Sequence, residues 1–152
     1  MSDTSLNRFN NPEFDQAIIE LKEGIKETCW IWFVFPQLDG LGYTDKTLMY
    51  ELKGIEEAEA FLKNKDCKER LTMAFKILLS HQGKLKLCEI FTTNSIDLVK
   101  LISCCTLFSI VSKHIDDPEV SNLSDKILKW AFQEEMFECD YTTERCEEYY
   151  SD

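Results

Sequence analysis

The sequence predicts an all-α fold: a single globular domain of roughly seven helices around a central apolar helix at about residues 95–113. Three observations carry that expectation. Apolar residues return at helical spacing through most of the chain, strand-like alternation is confined to Lys84-Leu85-Lys86-Leu87, and one long segment is apolar around almost its whole circumference. A chain of 152 residues buries about 68–70% of the surface it exposes when unfolded, so it needs neither a disulfide nor a metal to be stable.

Asn11-Pro12 opens the first helix, with Asn11 as N-cap and Pro12 at the first helical position, where a missing N–H costs nothing. Phe14, Ala17, Ile18, Leu21 and Ile25 then form one buried face, and Gly24 ends the helix or sits in its last turn. Thr44 caps a short helix reaching Leu52, and Gly54 separates it from another at about Ile55 to Leu62. Asp66-Cys67-Lys68-Glu69 reads as an acidic capping box for a helix carrying Cys67, Leu71, Ala74, Phe75 and Leu78 inward, with Gly83 as its stop. Lys84 to Leu87 is a short helix or an extended linker. In the central helix, Ser95 to Lys113, the polar residues Asp97, Lys100, Ser103, Thr106, Ser109 and Ser112 recur at every third position. At ~100° per residue such a row rotates steadily around the helix, so part of it must face the interior or a pocket. After Pro118, the residues Leu123, Ile127, Trp130 and Ala131 give the last helix of the domain its apolar stripe.

The densest stretch is Trp30-Ile31-Trp32-Phe33-Val34-Phe35-Pro36-Gln37-Leu38-Asp39-Gly40-Leu41-Gly42-Tyr43. Each aromatic brings roughly 150–250 Å² to bury, so the rest of the molecule must wrap this segment. Two readings stay open for it: a core segment, or a wall on which a flat ligand stacks. In the second, Gln37 reads polar edges, while Gly40 and Gly42 let backbone N–H groups come close. Gly40-x-Gly42 lacks the longer phosphate-loop and dinucleotide patterns.

Charge and cysteines exclude several classes. The formal charge is −11, and residues 134–152 hold eight acids against Arg145, leaving −4 for the rest. That balance argues against binding nucleic acid or anionic lipid nonspecifically. The sequence divides into a helical domain at 1–137 and an acidic tail at 138–152 that is too charged to pack closely, although Tyr141, Tyr149 and Tyr150 offer local docking points. Seven cysteines, without a Cys-x-x-Cys pair, sit in apolar segments as small buried groups. With no leader pattern at Met-Ser-Asp-Thr-Ser, they point to the cytoplasm. No cysteine or histidine spacing suits zinc, no cofactor is implied, and His81 and His114 read as solvated residues near helix ends.

The remaining polar candidates are on the central helix. Ser103 and Thr106 either bond back to the preceding turn or join Lys100 as donors to a phosphate or carboxylate. Arg8 or Arg70 would join from elsewhere, and Asp97 would orient Lys100 or accept a ribose hydroxyl.

Leu6-x-Arg8-Phe9, Trp30-x-Trp32-Phe33-x-Phe35-Pro36-Gln37-Leu38-x-Gly40-Leu41-Gly42, Tyr50, Glu57-Ala58, Arg70-Leu71, Phe91 and Asp97-x-x-Lys100-x-x-Ser103-x-x-Thr106-Leu107-Phe108 occur in that order. Together they resemble a mainly bacterial domain family of unknown function, number eighteen-ten, sometimes mislabelled calpastatin. The resemblance implies the helical fold and no particular reaction. Cys29, Thr92, Ile102 and Cys105 stand where the family pattern has histidine, glycine, arginine and methionine. If that histidine is a general base in relatives, the thiol of Cys29 would replace it only with a lowered pKa.

The functional expectation is a cytosolic site for an anionic, nucleotide-like small molecule, built from Trp30, Trp32, Gln37, Gly40, Gly42, Arg70, Asp97, Lys100, Ser103 and Thr106. Group transfer or hydrolysis is the reaction class such a ligand suggests. The competing expectation is a noncatalytic module that engages a protein partner through its acidic tail or an apolar surface.

Overall fold

A computed structural model describes residues 4–92 and 94–151 of the chain; Asp152, one of the tail acids, lies outside them. Among the described residues the fold is all-α: a 3-10 helix, Thr4–Phe9, then α1 (Phe14–Glu23), α2 (Ile31–Val34), α3 (Asp45–Tyr50), α4 (Gly54–Lys63), α5 (Lys65–Leu79), α6 (Leu87–Ile90), α7 (Ser95–His114), α8 (Pro118–Gln133) and α9 (Asp140–Tyr150). The count of α-helices among the described residues is nine where the sequence suggests roughly seven. The two additions are α2, a single turn inside the aromatic stretch, and α9 in the tail. Among the described residues the only strand-like pairings are isolated bridges at Leu38–Leu52 and Gln82–Leu85.

α7 is the axis, packed by α8, α9, α4, α2 and α6. Leu101, Cys104, Cys105, Leu107, Phe108 and Val111 are wholly buried on different sides of it, as an apolar circumference requires. It is long and apolar enough to cross a membrane by length and composition, yet 72% of that window is buried inside the protein. The ring cluster beside it is continuous: Phe35 stacks on Phe75 at 5.7 Å, Phe61 meets Phe108 at 5.3 Å, and Phe9 meets Phe61 edge-on at 5.0 Å.

Local chemistry moves several boundaries. Asn11 does not cap α1; its Oδ1 accepts the Glu13 N–H in a turn of its own, and the helix starts at Phe14 with Glu13 at the cap. Gly24 ends α1 in the left-handed region at φ 83°. Asn64, not the Asp66 box, caps α5, accepting the Cys67 N–H at 3.0 Å. An Asn carbonyl two residues upstream satisfies the same orphan donors and leaves Asp66 free to complement the dipole. Thr44 caps α3 as expected, but α3 ends at Tyr50 because Leu52 pairs its backbone with Gln37 and Asp39.

The tail differs most from expectation. Residues 140–150 form α9, which docks on α7 and α4. Its acids are spaced so that Glu144, Glu147 and Glu148 stay exposed, while Thr142 and Cys146 are wholly buried. The charge expected to forbid packing lies on one exposed face. Tyr150 donates its hydroxyl to Glu59 at 2.6 Å and stacks on His114 at 3.7 Å.

α9 also grips the loop after the aromatic stretch. Tyr141 donates to the Asp39 carbonyl at 3.0 Å, and Arg145 reaches the Asp39 carboxylate at 3.1 Å and the Tyr141 hydroxyl at 2.6 Å. Gly40 has φ +95°, and a Cβ there would collide with the Tyr141 hydroxyl. Gly40→Ala is therefore expected to cost about 1–3 kcal/mol from the backbone conformation alone, more with the collision. In thermal denaturation, adding Tyr141→Ala should recover the steric part and leave the conformational part.

Candidate functional site

The two tryptophans of the aromatic stretch have different surroundings. Trp30 is 1% exposed; its indole N–H donates to Glu20 at 2.8 Å, and the Lys26 ammonium sits 5.0 Å from its ring centroid. It is a core residue. Trp32, two positions on and on the other side of α2, is half-buried. The Lys100 ammonium from the first turns of α7 lies 4.9 Å from its ring centroid, a cation over the negative face of the π-system.

Around this contact Ile31, Trp32, Phe35, Gln37, Thr47, Tyr50, Glu51 and Lys100 line a nook of about 220 Å³. The space in which a water could sit is only about 10 Å³, about one molecule's worth. Small-molecule sites usually run to ~300–1,000 Å³. The nook therefore admits one water-sized group at the end of a ligand, with the remainder outside. The ring-rich segment and the polar row do meet, but closely.

The polar groups here are not internally satisfied. Trp32 Nε1 and Glu51 Oε1 are buried without a hydrogen-bond partner among the described residues. Glu51, 8% exposed, uses its other oxygen on Lys53 Nζ at 2.7 Å. Burial pushes the Lys100 ammonium below the ordinary lysine value; nearby Lys26 adds to that shift and Asp97 opposes it. Ile96, Val99, Lys100 and Ser103 share one face of α7 by helical spacing. On it Ile96 and Val99 are 59% and 55% exposed, leaving apolar surface beside the ammonium.

Of the residues expected from the sequence, Trp32, Gln37 and Lys100 come together; the others do not. Asp97 is nearly buried and holds Lys26 at 2.7 Å. Ser103 and Thr106 donate to the Val99 and Ile102 carbonyls at 3.1 and 2.8 Å, and Thr106 also accepts the Cys139 N–H. Their hydroxyls serve the helix and its neighbour. Arg70 lies beside Cys67, 3.7 Å from its sulfur, and Arg8 is bonded to Glu57 at 2.7 Å. Gly40 and Gly42 are approached by Tyr141 and Thr47 of the chain itself. His81 meets the Leu21 carbonyl at 2.7 Å and His114 the Tyr150 ring, so both have structural partners where solvation was expected. Cys29 is exposed. Among the described residues no group of three or more His, Cys, Asp or Glu is placed to hold a metal.

Thr47, Tyr50 and Glu51 were not expected in the site. Tyr50 belongs to the sequence pattern, but nothing in Tyr50-Glu51-Leu52-Lys53 shows that Glu51 turns inward. That follows from the α3 exit, where backbone bonds of Leu52 to Gln37 and Asp39 fix the chain's direction.

Residues 3–136 match the family profile described as "Protein of unknown function (DUF1810)". The structure is similar to the crystal structure of the conserved hypothetical protein Rv1873 from Mycobacterium tuberculosis, with a TM-score of 0.70 and 33% identity over 80% of this chain and 85% of that one. No curated protein matches.

Proposed function

The chain belongs to the DUF1810 family, and from that premise we propose that it binds a small anionic molecule whose charged end enters the nook at Trp32 and Lys100. The observation that carries this reading is the pair of donors lining one hollow: an ammonium held on an indole face, and a buried indole N–H without an acceptor among the described residues. One anionic oxygen group supplies what both lack, and charge-assisted hydrogen bonds are the stronger kind. The neighbouring charges are already matched, Asp97 with Lys26 and Glu51 with Lys53, which leaves Lys100 without an ion pair among the described residues. Exposed Ile96 and Val99 offer surface to the ligand's body, so phosphorylated and nucleotide-like molecules fit the reading.

We place this activity in the cytoplasm. Cys67, Cys104, Cys105 and Cys146 are buried free thiols, and burial pushes all four above the ordinary thiol value, Cys146 to about 11. They behave as inert packing groups.

A melting-temperature screen with sugar phosphates, nucleotides and ADP-ribose tests the proposal. A ligand at a hundred times its dissociation constant stabilises the native state by about 2.7 kcal/mol, or several degrees for a domain of this size. The wild type should shift with at least one class, and Lys100→Met should not. Equal shifts in both proteins, or none in the wild type, would remove the reading.

A further inference from the structure

The same nook contains an acceptor as well as donors, and its charge count restricts what can serve it. Glu51 is 8% exposed; Lys53 Nζ holds its Oε2 at 2.7 Å, while Oε1 is buried with no partner among the described residues. A buried carboxylate oxygen left unbonded is costly, so a group seated here must offer it a hydrogen. An ammonium is a poor choice. The charge of Glu51 is already met by Lys53, and a second cation would share the small hollow with Lys100. A neutral hydroxyl donates without adding charge.

Building on the anion-site reading above, we infer that the ligand is a hydroxylated anion: a phosphate or carboxylate that meets Lys100 and Trp32 and bears, on a nearby carbon, a hydroxyl that donates to Glu51 Oε1. The size of the nook supports this pairing. Its interior holds about one water-sized group, the rest of its roughly 220 Å³ being open to solvent, so acid and hydroxyl can reach it only side by side from its mouth, and a ring stays outside. The acid and the hydroxyl must therefore be close together at one end of the molecule. Gln37, 7% exposed, brings a side-chain amide to the same wall. An amide both donates and accepts, so it suits a ligand end that carries both kinds of group.

Isothermal titration of the full chain with two matched pairs tests this: glycerol 3-phosphate against propyl phosphate, and glycerate against propionate. The hydroxylated member of at least one pair should bind roughly tenfold or more tightly, as a hydrogen bond to a charged acceptor provides. The pair showing the preference identifies phosphate or carboxylate as the anion. Glu51→Ala should bring that ratio to about one, and Glu51→Gln, which keeps a neutral acceptor, should leave a smaller preference. Lys100→Met should weaken all four. If the wild type binds both members of each pair equally and Lys100→Met abolishes binding, the anion site stands and the hydroxyl assignment falls, with solvent serving Glu51. If the wild type binds none of the four, both fall together. The wild-type comparison decides the matter even if a Glu51 variant does not fold.

Discussion

Glu20→Ala is expected to be among the most destabilising single substitutions in this chain, at about 3–5 kcal/mol. The carboxylate is 1% exposed and accepts five hydrogen bonds: from the Glu27 and Thr28 N–H groups at 2.7 and 3.0 Å, the Thr28 hydroxyl at 2.6 Å, Gln16 at 2.9 Å and the Trp30 indole at 2.8 Å. It ties α1 to the connection entering the aromatic stretch. Glu27 and Thr28 are exposed and would recover water, but Trp30 is buried and its N–H would lose its acceptor. The same group sets an acid limit. Burial raises the Glu20 carboxyl, but hydrogen bonds from Thr28, Gln16 and the backbone outweigh it and hold the group at about 2, below the ordinary 4.5. Since the folded value is the depressed one, this stabilisation is present above the ordinary value and lost as pH falls through the folded one. The slope from this one group is at most about 1.4 kcal/mol per pH unit. Urea unfolding at pH 6, 4 and 3 should show the wild type losing stability over that window, with a flatter profile for Glu20→Gln. Parallel profiles would mean that Glu20 does not set the limit.

Periodicity made the helices legible because burying a face is what orders them, and α7 declared itself through an apolar circumference that only a central helix can satisfy. The site was legible in part for the same reason. Trp32 and Lys100 stood out by residue type and spacing, but spacing alone could not say which side of α2 each tryptophan faces. That is decided by long-range bonds, Trp30 to Glu20 and Lys100 to the Trp32 ring. Ser103 and Thr106 show the limit of a pattern: a hydroxyl inside a helix has a carbonyl one turn back within reach, and both use it. α9 was hidden by its overall charge, because a count of acids does not show that they share one face. Lys26 carried no signal at all. In Gly24-Ile25-Lys26-Glu27 it reads as a surface lysine, and only the fold brings it to Asp97, far along the chain.

That buried pair leads to the second large effect, Asp97→Asn. Lys26 Nζ and Asp97 Oδ2 are 2.7 Å apart, with side chains 4% and 6% exposed. Removing one partner of a buried ion pair typically costs 3–5 kcal/mol, because the other charge stays buried without its counterion. Lys26 also donates to the Thr28 carbonyl at 2.6 Å and lies against the Trp30 ring, contacts that hold the ammonium in place but do not neutralise it. Replacing both members, Lys26→Met with Asp97→Leu, should recover much of the loss, and a double-mutant cycle by urea unfolding would isolate the coupling. The consequence reaches the nook. Asp97 raises the Lys100 pKa and Lys26 lowers it, so Asp97→Asn should depress the Lys100 titration further, and Lys26→Met should raise it. Anion binding needs the protonated ammonium, so its loss on the alkaline side should come at lower pH in Asp97→Asn and at higher pH in Lys26→Met. Nitrogen-15 NMR of Lys100 across that range would register the two shifts in opposite directions; a common direction would show that the core pair does not act on the site through charge.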